Sequence, residues 1–248
     1  MRISLSQFVV TSAVLAYLFG LVYLKRSFLN ALYAIISPLA LTFVLLMVTS
    51  SNLHAAALFG GLALTLMNDG LGLGSSVAML KADFKYQDIL VASTVSQTSY
   101  MTGLALAGLL NSAPALVVYF VLLLWGKTYF ASVALIGLAL TIWITFSALS
   151  FFIATYLSTA YYSWPLLGLI SYALAILPPV FYPITILPKW LQTIMLLIPT
   201  THYSLLANFI LVGATGWMIS VTISFIYVLV FLILALVLVR FRARWRDP

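Results

Sequence analysis

Few side chains in this sequence can do chemistry, and those few lie far apart. Cysteine and glutamate are absent, and the only imidazoles are those of His54 and His202. Without cysteine there are no disulfides, thiolate metal ligands or cysteine nucleophiles. Metal sites and acid–base enzymes need several His, Asp or Glu side chains close together. Two lone histidines without carboxylate partners do not meet that need, so the sequence predicts no metal, no cofactor and no catalytic residues.

Asp69 is the carboxylate with the most unusual surroundings, because it follows Asn68 inside a long apolar stretch. It precedes Lys81 by 12 residues, or about 18 Å of helix, which is near the middle of a membrane if the stretch spans one. Ionisable residues at that depth are candidates for function. The alternative is a structural Asp bonded to a nearby polar group or helix, since the adjacent Gly70-x-x-x-Gly74 pattern favours close helix packing. The sequence leaves both interpretations open.

A possible nucleotide site is excluded by one residue. Gly126-Lys127-Thr128 matches the end of a phosphate-binding loop. That loop requires another Gly five positions before its second Gly, and Val121 occupies that position. If ATP is used, a separate subunit must hydrolyse it.

Composition identifies the class of protein. The chain has 248 residues, of which 65% are hydrophobic and 6% charged, and its mean hydropathy is +1.19. Soluble domains carry about a quarter charged residues, so the sequence predicts an integral membrane protein. The net charge of +7 comes from basic residues at the ends of apolar stretches. Membrane orientation and lipid headgroups explain such residues better than nucleic acid does.

The apolar stretches predict an all-α polytopic fold in one domain, residues 1–248. Six spans form a bundle over residues 28–240, and a basic cytoplasmic tail, 241–248, follows it. The predicted spans are 28–49, 53–80, 100–124, 130–158, 166–180 and 217–239, with an inner turn at 161–165. In the tail and just before it, four arginines suit anionic lipid headgroups better than docking on a partner protein.

Basic residues set the predicted orientation. With both termini cytoplasmic, nine Lys and Arg side chains lie inside, and only Lys127 and Lys189 lie outside. This asymmetry is the usual sign of cytoplasmic loops. Residues 3–26 have an amphipathic first half and an apolar second half. They predict an elbow helix lying in the cytoplasmic interface, with a full span as the alternative.

The stretch from Leu177 to Tyr203 cannot be one straight span. Five prolines fall within 22 residues here, and proline breaks helical hydrogen bonding and geometry. Pro188 suits the first turn of a new helix, so 188–198 is predicted to be a short one. Backbone broken at membrane depth must be covered by protein or line a cavity. The pattern predicts a re-entrant outer hairpin between the last two spans.

This stretch resembles the permease subunits of the second class of ABC exporters, which move drugs, lipids, polysaccharides or antibiotics. The residues that carry the resemblance are Phe181-Tyr182-Pro183, Leu187-Pro188-Lys189-Trp190-Leu191 and Ile198-Pro199. Ile198 departs from the usual Asn of the family. The resemblance implies that Pro183, Pro188, Trp190 and Pro199 build the outer hairpin.

A charged inner loop carries a second part of the resemblance. Lys81-Ala82-Asp83-Phe84-Lys85-Tyr86-Gln87-Asp88 stands where the family often has an Asp and a basic residue before a short helix. The resemblance implies that this loop contacts the ATPase and couples it to transport. Its mixed charges and two aromatics also suit a docking groove. The alternative is a solvated inner loop.

The resemblance implies a permease in which two subunits, identical or homologous, form the substrate path above two ATPases. Such a protein lies in the plasma membrane, contacts lipids and needs no nucleic acid. No ABC signature Gly-Gly-Gln occurs in this chain, which again places ATP hydrolysis elsewhere. One alternative is a secondary transporter or channel, which predicts ionisable residues along several spans. A membrane-embedded lipid transferase is another, but it needs a cluster of acidic or His side chains that the sequence lacks.

Overall fold

The computed structural model describes residues 5–26, 28–49, 53–82, 89, 95–125, 127–157, 160–213 and 218–242. These ranges are helical apart from short turns, and none of the described residues forms a strand. The helices are α1 (Leu5–Arg26), α2 (Phe28–Val48), α3 (His54–Ala82), α4 (Gln97–Leu124), α5 (Tyr129–Tyr156), α6 (Ala160–Ile176), α7 (Lys189–Met195), α8 (Pro199–Val212) and α9 (Met218–Arg242).

Most of these helices are long and apolar enough to cross a membrane. Helices α1, α3, α4, α5 and α9 each meet that condition within the described residues, and α7 with α8 would make a sixth if the bent pair counts as one span. Helix α2 has 21 residues, about 31 Å, which is close to the thickness of the hydrocarbon core. The chain is therefore a helical multi-pass membrane protein, as its composition predicts.

Two segments differ from the sequence prediction. Residues Tyr161 to Pro165, predicted to be a turn, are the beginning of α6. Pro165 lies inside this helix, beyond its first turn, and so removes the backbone bond to the carbonyl of Tyr161. Helix α8 was not predicted: residues 199–212 were expected only to turn again, and they form a 14-residue helix.

Helix α3 is the centre of the bundle and packs against α2, α4, α5, α6 and α8. Glycines let α5 approach it closely. A Cβ atom at Gly70 would lie 2.9 Å from the Phe146 Cβ, and one at Gly74 would lie 2.7 Å from the backbone oxygen of Ser150. The Ser150 hydroxyl accepts from the Gly74 N–H at 2.6 Å and donates to the Leu71 carbonyl at 2.7 Å. These contacts confirm the predicted close packing at Gly70-x-x-x-Gly74.

Two lysines mark the two ends of the bundle. At the end called here the Lys81 end, the Lys81 Nζ donates to the Thr155 carbonyl at 3.1 Å, near the C-terminus of α5. At the opposite end, the Lys127 end, the Lys127 Nζ donates to the Leu211 carbonyl at 2.7 Å, near the C-terminus of α8. Amines suit these places because helix C-termini carry partial negative charge and unpaired carbonyls.

Exposed aromatic rings lie at both ends, which is typical of membrane interfaces. Helix α5 has 28 residues and is about 42 Å long, which matches a bilayer including its headgroup regions. Exposed rings lie near both of its ends: Trp125, Tyr129 and Phe130 at the Lys127 end, and Tyr156, Tyr161, Tyr162 and Trp164 at the Lys81 end.

Candidate functional site

Asn68 and Asp69 tie the centre of α3 to two different helices. The Ser171 hydroxyl on α6 donates to the Asn68 Oδ1, and the Ser112 hydroxyl on α4 donates to the Asp69 Oδ2. Successive residues of a helix point about 100° apart, so these neighbours reach helices on either side of one face. The structure thus gives Asp69 the partner on a neighbouring helix that the structural interpretation requires.

The face of α3 between these two contacts is open toward the Lys81 end. Asn68, Asp69, Gly72 and Ser76 are all partly exposed there, and they are called the polar strip below. A Cβ atom at Gly72 would meet nothing within 4 Å. The Ser76 hydroxyl donates to the Gly72 carbonyl of its own helix at 3.2 Å. Small and polar residues therefore form a partly exposed face, and Asp69 lies near its end farther from Lys81.

The same face of α3 is closed toward the Lys127 end. Gly61, which lies on this face by helical spacing, is covered by Thr42 of α2 and Tyr119 of α4. A Cβ atom at Gly61 would lie 2.7 Å from the Tyr119 Cε1, and the hydroxyls of Thr42 and Tyr119 are 2.7 Å apart. The open part of this face is therefore confined to the half of the bundle nearer Lys81.

Few groups of the chain could stabilise a negative charge on Asp69. No Lys or Arg occurs between Arg26 and Lys81 or between Lys85 and Lys127. Among the described residues Ser112 is the only hydrogen-bond donor to its carboxylate, and it binds Oδ2. The other oxygen, Oδ1, has no hydrogen-bond donor among the described residues.

The predicted coupling loop is only partly within the described residues. Lys81 lies in the last turn of α3, just before the undescribed part of the loop, and its amine donates to the Thr155 carbonyl. The other predicted members, Asp83, Phe84, Lys85, Tyr86, Gln87 and Asp88, lie outside the described residues, so their contact with an ATPase stays a prediction. Sequence reasoning missed the internal role of Lys81, which depends on the position of α5.

The proline-rich stretch breaks where predicted. Pro188 is the residue before α7, and Pro199 is the first residue of α8. The axes of α7 and α8 differ by 102°. Pro183 precedes a short 3₁₀ turn, Ile184–Ile186, and Trp190 is 67% exposed. The short helix predicted at 188–198 is found at Lys189–Met195.

Three side chains bind three successive carbonyls at the break between α7 and α8. The Thr201 hydroxyl donates to the Met195 oxygen at 2.6 Å, the His202 Nε2 to the Leu196 oxygen at 2.8 Å, and the Tyr227 hydroxyl to the Leu197 oxygen at 2.8 Å. A helix C-terminus leaves such carbonyls unpaired. The carbonyls at the break therefore have hydrogen-bond partners within the protein, which backbone at membrane depth requires.

His202 is a structural residue of this break. Because its Nε2 donates to a carbonyl, its Nδ1 accepts from the Ser224 hydroxyl of α9, at 3.0 Å. Its ring stacks on Tyr227 with centroids 4.2 Å apart. Both ring nitrogens are thus occupied by the chain's own groups. In the described part of the chain, no three His, Cys, Asp or Glu side chains come together in a way that would hold a metal ion.

No protein-family model matches this chain, and no curated protein matches it either. The functional argument therefore rests on the polar strip, the broken hairpin and the bundle around them.

Proposed function

We propose that this chain is the membrane-spanning permease subunit of an ATP-driven ABC exporter of the second class. The polar strip is the observation that supports this most. Polar and ionisable groups are costly against lipid and usually face a protein interior or a water-filled path. Asn68, Asp69, Gly72 and Ser76 are partly exposed on the isolated chain, so in the membrane they require another surface. A substrate path shared with a second permease subunit supplies one.

The proposal places the Lys81 end in the cytoplasm and the Lys127 end outside. The distribution of basic residues supports this. Even without Lys25 and Arg26, which α1 carries into the bundle, seven basic residues lie toward the Lys81 end and two toward the Lys127 end. Both termini and the basic tail, 241–248, then lie in the cytoplasm, and the protein belongs to the plasma membrane. The polar strip opens toward the Lys81 end, so the path is accessible from the cytoplasmic side.

The proposal makes α7 and α8 a hairpin that enters from outside and returns there. Two contacts support this reading. Lys127 reaches the C-terminal end of α8 at Leu211, and the hydroxyl of Tyr203, near the start of α8, lies 3.1 Å from that of Thr145 in the interior of α5. Helix α8 therefore runs from depth back toward the Lys127 end, antiparallel to α5.

Helix α1 enters the bundle from the Lys81 end in this proposal. Its Ser12 hydroxyl donates to the Ser99 carbonyl at 3.2 Å, and a Cβ atom at Gly20 would lie 3.1 Å from the Ala107 Cα. The partners advance together along α1 and α4, so these helices are parallel. Such packing differs from a helix lying flat in the interface. Helix α2 must still reach the Lys127 end, because the Thr49 oxygen contacts the His54 ring there at 3.3 Å. Helix α1 therefore inserts into the bundle without crossing it completely.

The remaining partners follow from the lack of a nucleotide site. Two separate ATPases bind beneath the two permease subunits, and residues 81–88 contact them, with Phe84 and Tyr86 as apolar anchors. This chain is then a transport subunit with no cofactor and no catalytic residue of its own.

Affinity purification of the tagged full chain from its native membrane tests the proposal. We expect an ATPase subunit to copurify, and the chain alone to hydrolyse no ATP. Replacing Phe84 and Tyr86 together with Ala should weaken ATPase association and stop transport at equal permease level. ATPase activity of the purified single chain, or transport driven by an ion gradient without any ATPase, would overturn the proposal and favour the secondary-transporter alternative.

A further inference from the structure

We infer that the polar strip binds the cationic group of an amphiphilic substrate, with Asp69 as its counter-ion. This inference rests on the proposed transport function and adds the charge of the substrate to it. Its basis is the contrast between Asn68 and Asp69, which are adjacent on α3 and are both held by a serine of a neighbouring helix.

Asn68 is explained by packing alone. It is a neutral side chain, and the hydrogen bond from Ser171 joins α3 to α6. Interhelical hydrogen bonds of this kind stabilise membrane bundles at modest cost. A second asparagine at position 69 would make the equivalent bond with Ser112, so packing gives no reason for a carboxylate there.

Asp69 has an oxygen that its bond with Ser112 does not use. Ser112 binds Oδ2, and Oδ1 has no hydrogen-bond donor among the described residues. A carboxylate in an apolar region is stabilised by an opposite charge. Lys25 and Arg26 end α1, which packs on α4, but both are exposed and neither forms an ion pair with Asp69. An opposite charge is therefore expected from outside the chain.

The shape of the strip suits an organic cation with an apolar body. The open position at Gly72 leaves room beside Asp69, and Met79 continues the partly exposed face one turn beyond Ser76. A cationic group can then approach Oδ1 while its apolar substituents contact aliphatic side chains and lipid. An anionic substrate would meet repulsion from Asp69 and no positive partner within the spans.

Binding of tetraphenylphosphonium to the purified full chain, in nanodiscs of zwitterionic phosphatidylcholine, tests this inference by equilibrium dialysis. Tetraphenylborate, an anion of nearly the same shape, controls for partition into lipid. We expect saturable binding of the cation only. Asp69→Asn should weaken it by at least about tenfold, because it removes one partner of a desolvated charge pair. Asp69→Glu should retain it, and Asp247→Asn, the same neutralisation in the basic tail, should leave it unchanged.

A second measurement uses the unaltered protein and so does not depend on the folding of a variant. Dicyclohexylcarbodiimide modifies carboxyl groups in apolar surroundings, and peptide mass spectrometry would locate the product. We expect modification at Asp69 and protection by tetraphenylphosphonium but not by tetraphenylborate. Equal partition of both ions, unweakened binding by a folded Asp69→Asn variant, or modification without protection would each overturn the inference.

The outcomes also separate this inference from the proposed function. Both measurements use the chain without an ATPase, whereas the proposed function is tested by ATPase copurification. An ATPase that copurifies with a chain that does not bind the cation removes only the substrate class. Cation binding by a chain that has no ATPase partner retains the site and overturns the exporter.

Discussion

The Nζ of Lys127 donates a 2.7 Å hydrogen bond to the backbone oxygen of Leu211. The bond joins the turn between α4 and α5 to the C-terminal end of α8, 84 residues later in the sequence. It places the end of α8 at the Lys127 end of the bundle, where α9 must begin. In the proposed arrangement α7 and α8 leave and regain this same end, and the number of membrane crossings depends on that.

Cysteine labelling tests that arrangement, and the chain contains no cysteine that would interfere. Thr185, Val212 and Tyr161 are exposed, so single cysteines there are accessible. We expect an impermeant maleimide added to intact cells to label Thr185→Cys and Val212→Cys. Tyr161→Cys should react only after permeabilisation. Labelling of position 185 from outside and position 212 only from inside would make the bent pair a full crossing.

Gly74 is expected to be far less tolerant of substitution than Gly72. An added Cβ at Gly74 would meet the backbone oxygen of Ser150 at 2.7 Å, whereas one at Gly72 would meet nothing within 4 Å. Gly74→Ala should lower the free energy of unfolding by about 1–3 kcal/mol through overpacking. Gly72→Ala should leave it unchanged or raise it by about 0.5–1 kcal/mol, since Gly disfavours helix. Thermal unfolding in detergent compares them, and equal effects would contradict the packing of α3 on α5.

His202 is expected to stabilise the break between α7 and α8 without any metal. His202→Ala removes the donor to Leu196 and the acceptor for Ser224, and should cost about 1–3 kcal/mol. His54→Ala is the matched control, because that ring is less buried and its contact with the Thr49 oxygen is long at 3.3 Å. A chelator should not change the melting temperature. A chelator-dependent decrease that His202→Ala abolishes would show a metal ligand instead.

Lys81 is expected to stabilise the end of α5 by its hydrogen bond to Thr155. Lys81→Met keeps the aliphatic stem and removes the charge, and should cost about 0.3–2 kcal/mol through loss of the interaction with the helix C-terminus. Lys189→Met is the control, since Lys189 is exposed and lies at a helix N-terminus. Thermal unfolding at low salt measures both. A larger effect of Lys189→Met would argue against the contact.

The candidate site was partly predictable. Asn68 and Asp69 stand out in the sequence because polar residues inside a long apolar stretch are rare. Their partners Ser112 and Ser171 do not stand out, since serines occur throughout the apolar stretches. Which serine faces Asp69 depends on the rotation of α4 about its axis, and that rotation is set by packing along the whole bundle.

The sequence by itself determined the membrane class, the helical content and a break within the proline-rich stretch 177–203. Hydropathy over some 20 residues suffices for a spanning helix, and proline acts on its immediate neighbours, so these features are local. Tertiary structure alone decided the direction of α8, the parallel packing of α1 on α4 and the helical start of α6. It also decided that the face of α3 is covered at Gly61 and open at Gly72. Each of these depends on contacts between residues distant in sequence, whose packing energies no local pattern contains.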